Sequence, residues 1–163
     1  MTCLFELSIA LLITLLNGFF VMAEYSLVRI RKSRLDELIR QGKSRANTVL
    51  KMSEKLDTYL SATQLGITAS SLLLGWFGGP LLAEMFRGMF GVSAGTWYDH
   101  SLVFACAFLI IVFLHVVFGE LVPRTIALGK VEQVAMAVAY PLVFFHYLLY
   151  PLVVLLSLIH ISE

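Results

Sequence analysis

The sequence predicts an all-α integral membrane domain. It should have three transmembrane helices, the second and third interrupted, with amphipathic juxtamembrane or re-entrant helices on the cytoplasmic side. Three observations predict this. The 163 residues are 59% hydrophobic and only 14% charged, with mean hydropathy +0.86, which is more apolar than a soluble core of this size requires. The apolar residues gather in stretches near the roughly 20 residues that cross a bilayer as a helix. Nine of the twelve Lys and Arg lie between Arg29 and Lys55, the kind of asymmetry that orients membrane helices. A net charge of +1 gives no reason to expect a nucleic-acid partner.

The first span covers about residues 4–28 and carries Asn17, Gly18 and Glu24. It lacks a basic n-region and a small-residue cleavage site, so it reads as a retained span rather than a signal peptide. The basic stretch 29–55 is then cytoplasmic and the N-terminus outside, as expected of a multi-pass protein of the plasma or inner cell membrane. Within juxtamembrane residues 32–55, "SRLDELIRQG" sets Leu35, Leu38 and Ile39 on one face and ends at Gly42. That pattern predicts an amphipathic helix lying on the membrane surface. The second span, about 59–77, is rich in Ser, Thr and Gly and runs into Gly78-Gly79-Pro80; the third covers 102–119. Trp76, Trp97 and Tyr98 fall at the outer ends of these two spans, where an aromatic belt belongs. A fourth stretch, about 132–161, contains Pro141 and Pro151, with His146 between them. It is long enough to span, and its prolines could equally divide it into two half-length re-entrant pieces. Cys3 and Cys106 lie in apolar segments and read as small buried hydrophobes, with no support for a disulfide or zinc site.

Polar groups enter these spans in a pattern. On the second, Gln64, Thr68, Ser71 and Gly75 form one helical stripe, and Thr63, Gly66 and Ser70 form the adjacent one. Gly66 with Ser70, and Ser71 with Gly75, are small-xxx-small pairs of the kind that pack helices together. The same hydroxyls also suit a hard-oxygen site. On the first span Asn17 and Glu24, seven apart, share a face, while Ser26 lies about 200° round from Glu24. Glu24 could also pair with Arg31, and Ser26 could satisfy itself against its own helix.

The stretch "VVFGELVPRT" ends the third span with a carboxylate, Glu120, three residues before Pro123. A salt bridge to Arg124 is one reading. An ionisable group inside a membrane is also a functional-site hypothesis. Pro123 lacks the N–H that would bond the carbonyl four residues back, at Gly119. An open carbonyl at membrane depth is tolerated only inside protein or beside a cavity. A carboxylate, an open carbonyl and hydroxyls are oxygen donors, the set that holds Mg²⁺, Ca²⁺ or Na⁺. One Glu does not neutralise a divalent ion, so Glu24 is a candidate assistant. His115, alone on the third span, reads as a hydrogen-bonded packing residue. Ser70 or Ser71 with His115 could suggest a nucleophile and base, but the sequence has no G-x-S-x-G elbow and no acid placed to orient the imidazole. The chain is therefore not expected to be an enzyme.

The motifs "NGFFVMAEYSLVRIRKSRLDEL", "SATQLGITASSLLLGWFGGP" and "VFGELVPRTIAL", in this order, resemble the transmembrane domain of the CorC/CNNM family of magnesium transporters. The resemblance runs from Asn17 to about Pro151. It implies a homodimer with three transmembrane helices per subunit and a belt of juxtamembrane helices, with 132–161 as a proline-broken re-entrant hairpin. It implies export of Mg²⁺, with Na⁺ as the exchanged ion. Carried over by position, the ion site uses Ser26, Ser70, Ser71 and Glu120, with Asn17, Gly119 and Pro123 in support and Gly66 and Glu24 nearby. Family members continue into cytoplasmic nucleotide-sensing CBS domains. This chain stops at "SLIHISE" and is expected to be a fragment, a truncated form or a membrane-only member.

Overall fold

The computed structural model describes residues 2–90 and 97–160, with side chains described within 5–78 and 105–148. Everything described is helical or a short turn. The order is α1 (Thr2–Arg29), α2 (Lys32–Arg40), α3 (Ser44–Glu54), α4 (Leu56–Phe90), α5 (Trp97–Leu114), a π-helical segment (His115–Leu121), α6 (Val122–Gly129) and α7 (Val131–His160). α1 is the hub, packed against α4, α7, α6 and the π segment. This position explains why α1 carries buried side chains on several faces.

Among the described residues, three segments are long and apolar enough to cross a membrane: Leu7–Arg29, Phe108–Gly129 and Val131–Leu148. The expected second span, 59–77, lies in α4. That helix has 35 residues, roughly 50 Å, and its Ser, Thr and Gln residues lower its apolarity. The second helix was expected to be interrupted at Gly78-Gly79-Pro80, yet α4 runs through them unbroken. Where no water competes, a backbone keeps every hydrogen bond it can, and one Pro removes a single donor. The same argument corrects the proline-broken hairpin: α7 is one helix of 30 residues that includes Pro141 and Pro151. Residue 161, the end of the expected fourth stretch, lies outside the described residues, as do the side chains of Trp97, Tyr98 and Cys3.

The helix expected over "SRLDELIR" forms and stops where Gly42 reaches φ 82°. Lys43 N–H reaches the Leu38 carbonyl at 3.1 Å, and Gly42 N–H reaches that of Ile39 at 2.9 Å. This is the Schellman arrangement that glycine permits. Its apolar face does not lie on lipid, however. Leu35 and Leu38 are fully buried with Ala46, Val49 and Met52 of α3, Ala139 and Leu142 of α7, and Phe20 and Leu27 of α1. A protein core was within reach, and burial there removes these side chains from water as well as lipid would. Arg34 ties the layer together, donating from Nε to Glu132 at 2.6 Å and from Nη1 to Glu37 at 2.5 Å. These two carboxylates hold its pKa above the usual guanidinium range.

Cys106 is exposed on α5 and not buried as expected. It shares that helix with the exposed Phe108, Leu109 and Phe113, a surface suited to lipid or to another chain.

Candidate ion site at the π segment

The third helix is interrupted, but by widening rather than breaking. Over His115–Leu121 the chain takes π-helical form, and Val122 N–H bonds the Val117 carbonyl five residues back. Such widened turns recur at functional sites. Pro123 withholds the donor that an α-turn would offer Gly119. The Gly119 carbonyl is met from another helix: Asn17 Nδ2 donates to it at 2.9 Å, with Asn17 only 1% exposed. Pro123 has a second role. Its Cγ would lie 2.9 Å from a Cβ built on Gly18, so the pyrrolidine ring seats α6 against a bare stretch of α1.

Around this turn the structure gathers several of the expected residues. Asn17 and Glu24 come from one face of α1. Glu24 is close enough to Glu120 for the two carboxylates to act on each other electrostatically. Ser71 Oγ lies 3.1 Å from His115 Nε2. The imidazole in turn borders Gly119, where an added Cβ would sit 3.0 Å from His115 Nδ1 and 3.1 Å from Asn17 Nδ2. Among the described residues no ion pair joins Glu120 to Arg124 or Glu24 to Arg31. Arg124 stacks instead over Tyr25, 4.5 Å from the ring centroid, a cation–π contact.

Other expected residues are placed differently. Ser26 is buried, but its hydroxyl donates to the Ala23 carbonyl of its own helix at 3.2 Å, on the side of α1 away from Glu24. Ser70 is buried and donates to Gly66 at 2.8 Å. Of the two polar stripes on α4, Thr63, Gly66 and Ser70 face the protein, whereas Gln64, Thr68 and Gly75 are exposed. Gly66 is a contact point between helices: an added Cβ would lie 2.6 Å from three ring atoms of Phe20. The small-residue stripe thus serves packing first.

Sequence reasoning missed His115 as a member of this cluster. The available signal was its position four residues before Gly119, in the turn that Pro123 loosens. Ser71 and His115 resemble a nucleophile–base pair, but His115 Nδ1 has no hydrogen-bond partner. The acid that orients the base in a triad is therefore missing at that atom.

Asn17→Leu keeps the branching at Cγ and removes the donor. It should leave the Gly119 carbonyl unpaired and lower stability by about 1–3 kcal/mol. The check is thermal unfolding in detergent, and an unchanged midpoint would show that another donor takes its place.

Apolar helices of spanning length enclosing a polar cluster define a multi-pass, all-α membrane protein. The chain matches the cyclin M transmembrane N-terminal domain (CNNM) over residues 7–160 and belongs to that family. It is 41% identical over 139 residues to the UPF0053 protein YugS of Bacillus subtilis (strain 168), covering 85% of this chain and 32% of the relative. Identity with UPF0053 protein YhdP of the same organism is 42% over 150 residues, 91% of this chain and 34% of that one. With protein Rv1841c of Mycobacterium tuberculosis (strain ATCC 25618 / H37Rv) it is 41% over 133 residues, 82% and 38% of the two chains. The chain spans about a third of the length of these curated relatives.

Proposed function

We propose that this domain is the membrane core of a magnesium exporter, moving Mg²⁺ out of the cytoplasm in exchange for Na⁺. The ion binds at the π segment, with Glu120, the Gly119 carbonyl, Asn17 and hydroxyls of α4 as oxygen donors and Glu24 supplying a second negative charge. The protein works as a homodimer in the cell membrane, with its N-terminus outside and residues 29–55 in the cytoplasm.

One observation carries this reading. At the widened turn that carries Glu120, the Gly119 carbonyl meets the Asn17 amide, and Glu24 on the same face of α1 as Asn17 is near enough to feel the Glu120 charge. Two carboxylates at membrane depth repel each other unless a cation lies between or beside them. Oxygen donors of this kind suit Mg²⁺, which sheds its water reluctantly and is held only where several fixed oxygens replace it. A carbonyl has two lone pairs, so the Gly119 oxygen can accept from Asn17 and still face an ion.

The test is flux. Purified protein reconstituted in vesicles is expected to move Mg²⁺, and an opposed Na⁺ gradient should accelerate it. Because the relatives are about three times as long, a second reading is an ion-binding scaffold or sensor whose output lies in the remainder of the longer proteins. Mg²⁺ binding without flux would favour that reading and refute transport.

A further inference from the structure

The cluster holds two buried polar atoms without a hydrogen-bond partner, Asn17 Oδ1 and His115 Nδ1. Each belongs to a planar group whose other polar atom is already held. Asn17 Nδ2 is engaged by the Gly119 carbonyl at 2.9 Å, which makes Oδ1 the free end of the amide. His115 Nε2 is engaged by Ser71 Oγ at 3.1 Å, which makes Nδ1 the free end of the ring. Both groups border the Cα of Gly119, with room for no more than a tight Cβ between them and that backbone.

Unpartnered buried polar atoms are rare because each forfeits the free energy of its lost hydration. His115 Nδ1, lying beside Gly119 on a ring oriented from behind by Ser71, matches how proteins prepare metal ligands. A metal-bound imidazole usually donates its other N–H to an oxygen, which fixes tautomer and ring plane. Ser71 Oγ stands where that oxygen belongs. In the tautomer that donates Nε2–H to Ser71, Nδ1 presents its lone pair.

We propose that His115 Nδ1 is a nitrogen donor to the divalent cation held at this turn, so that the site accepts first-row transition ions such as Mn²⁺ as well as Mg²⁺. The proposal rests on reading the turn as an ion site and adds a ligand to it. It moves Ser71 behind His115, as the group that orients the ring. Imidazole nitrogen is a poor ligand for Mg²⁺ and Ca²⁺ and a good one for first-row transition ions, whose affinity for nitrogen rises across the series. One imidazole among oxygens therefore tilts selectivity towards Mn²⁺ over Ca²⁺.

Mn²⁺ is the probe, added to the purified chain in detergent and followed by electron paramagnetic resonance. The wild type is expected to bind Mn²⁺ and to show spin-echo modulation from one directly bonded nitrogen. Substituting ¹⁵N into the histidines alone should change that modulation. His115→Gln should abolish it and weaken Mn²⁺ binding at least about tenfold, with a smaller effect on Mg²⁺. Bound Mn²⁺ without nitrogen modulation, or modulation indifferent to histidine labelling, would overturn the proposal and leave the oxygen site standing. Failure to bind either Mn²⁺ or Mg²⁺ would overturn both this proposal and the ion-site reading beneath it. The labelling result needs no variant, so a His115→Gln protein that fails to fold does not protect the idea.

Discussion

Glu120→Gln is expected to abolish Mg²⁺ binding and transport while the helices still assemble. The substitution keeps shape and removes charge. A unit charge pair about 4 Å apart at an effective dielectric near 20 contributes about 4 kcal/mol, so affinity for a cation should fall on the order of 1,000-fold. The folded state should not suffer, for two reasons. Glu120 is exposed on this chain and has no ion pair with Arg124 among the described residues. Its electrostatic neighbour Glu24 carries the same sign, so removing one charge relieves repulsion. The unfolding temperature of the metal-free variant should equal or exceed that of the wild type, while calorimetric Mg²⁺ binding disappears. That combination is the signature of a residue retained for ligand binding at a cost in stability. Unchanged Mg²⁺ affinity would remove Glu120 from the ion site.

Gly66→Ala is expected to destabilise the α1–α4 contact, against the usual preference for alanine in helices. Alanine is favoured over glycine in a helix interior by about 1 kcal/mol. Here the new methyl carbon would lie 2.6 Å from Cδ2, Cε2 and Cζ of Phe20. That ring has little freedom to withdraw. Phe20 is 2% exposed, and its centroid lies 5.3 Å from Phe19 and 5.1 Å from Phe145. Overpacking of this kind costs about 1–3 kcal/mol, enough to reverse the helical preference. Each kcal/mol corresponds to a fall of about 2–4 °C in the unfolding midpoint for a chain of this size. Gly75→Ala is the control on the same helix: nothing lies within 4 Å of its added Cβ, and it should be neutral or stabilising. Phe20→Leu should recover part of the loss in the Gly66→Ala background, because the two positions touch and their effects are coupled. Equal midpoints for Gly66→Ala and Gly75→Ala would show that α1 and α4 separate without cost.

Much of the site was legible one residue at a time. Pro123 must leave the Gly119 carbonyl without its α-helical donor, since proline has no N–H, and the helix does widen at that point. Asn17 and Glu24 must share a face because they are seven apart, and both belong to the cluster. The hydroxyls were harder to read. Ser26, Ser70 and Thr63 each donate to a carbonyl of their own helix, and nothing in a sequence distinguishes such a hydroxyl from one that reaches across. Ser71 is the one brought to another helix, and its partner His115 is 44 residues away.

Covalent chemistry and helical period were enough, by themselves, to determine the membrane class, the amphipathic helix ending at Gly42, the open carbonyl at Gly119, and the shared face of Asn17 and Glu24. Tertiary structure decided what each of these meets. α1 sits at the hub, so Asn17 reaches Gly119 while Ser26 is buried on another side. The apolar face of α2 turned to protein instead of lipid because α3 and α7 offered a core. Pro141 and Pro151 did not divide α7, because a membrane-depth backbone has no better partner than its own helix. Periodicity fixes the direction in which a side chain points from its helix, but its neighbour is set by distances between segments far apart in the chain.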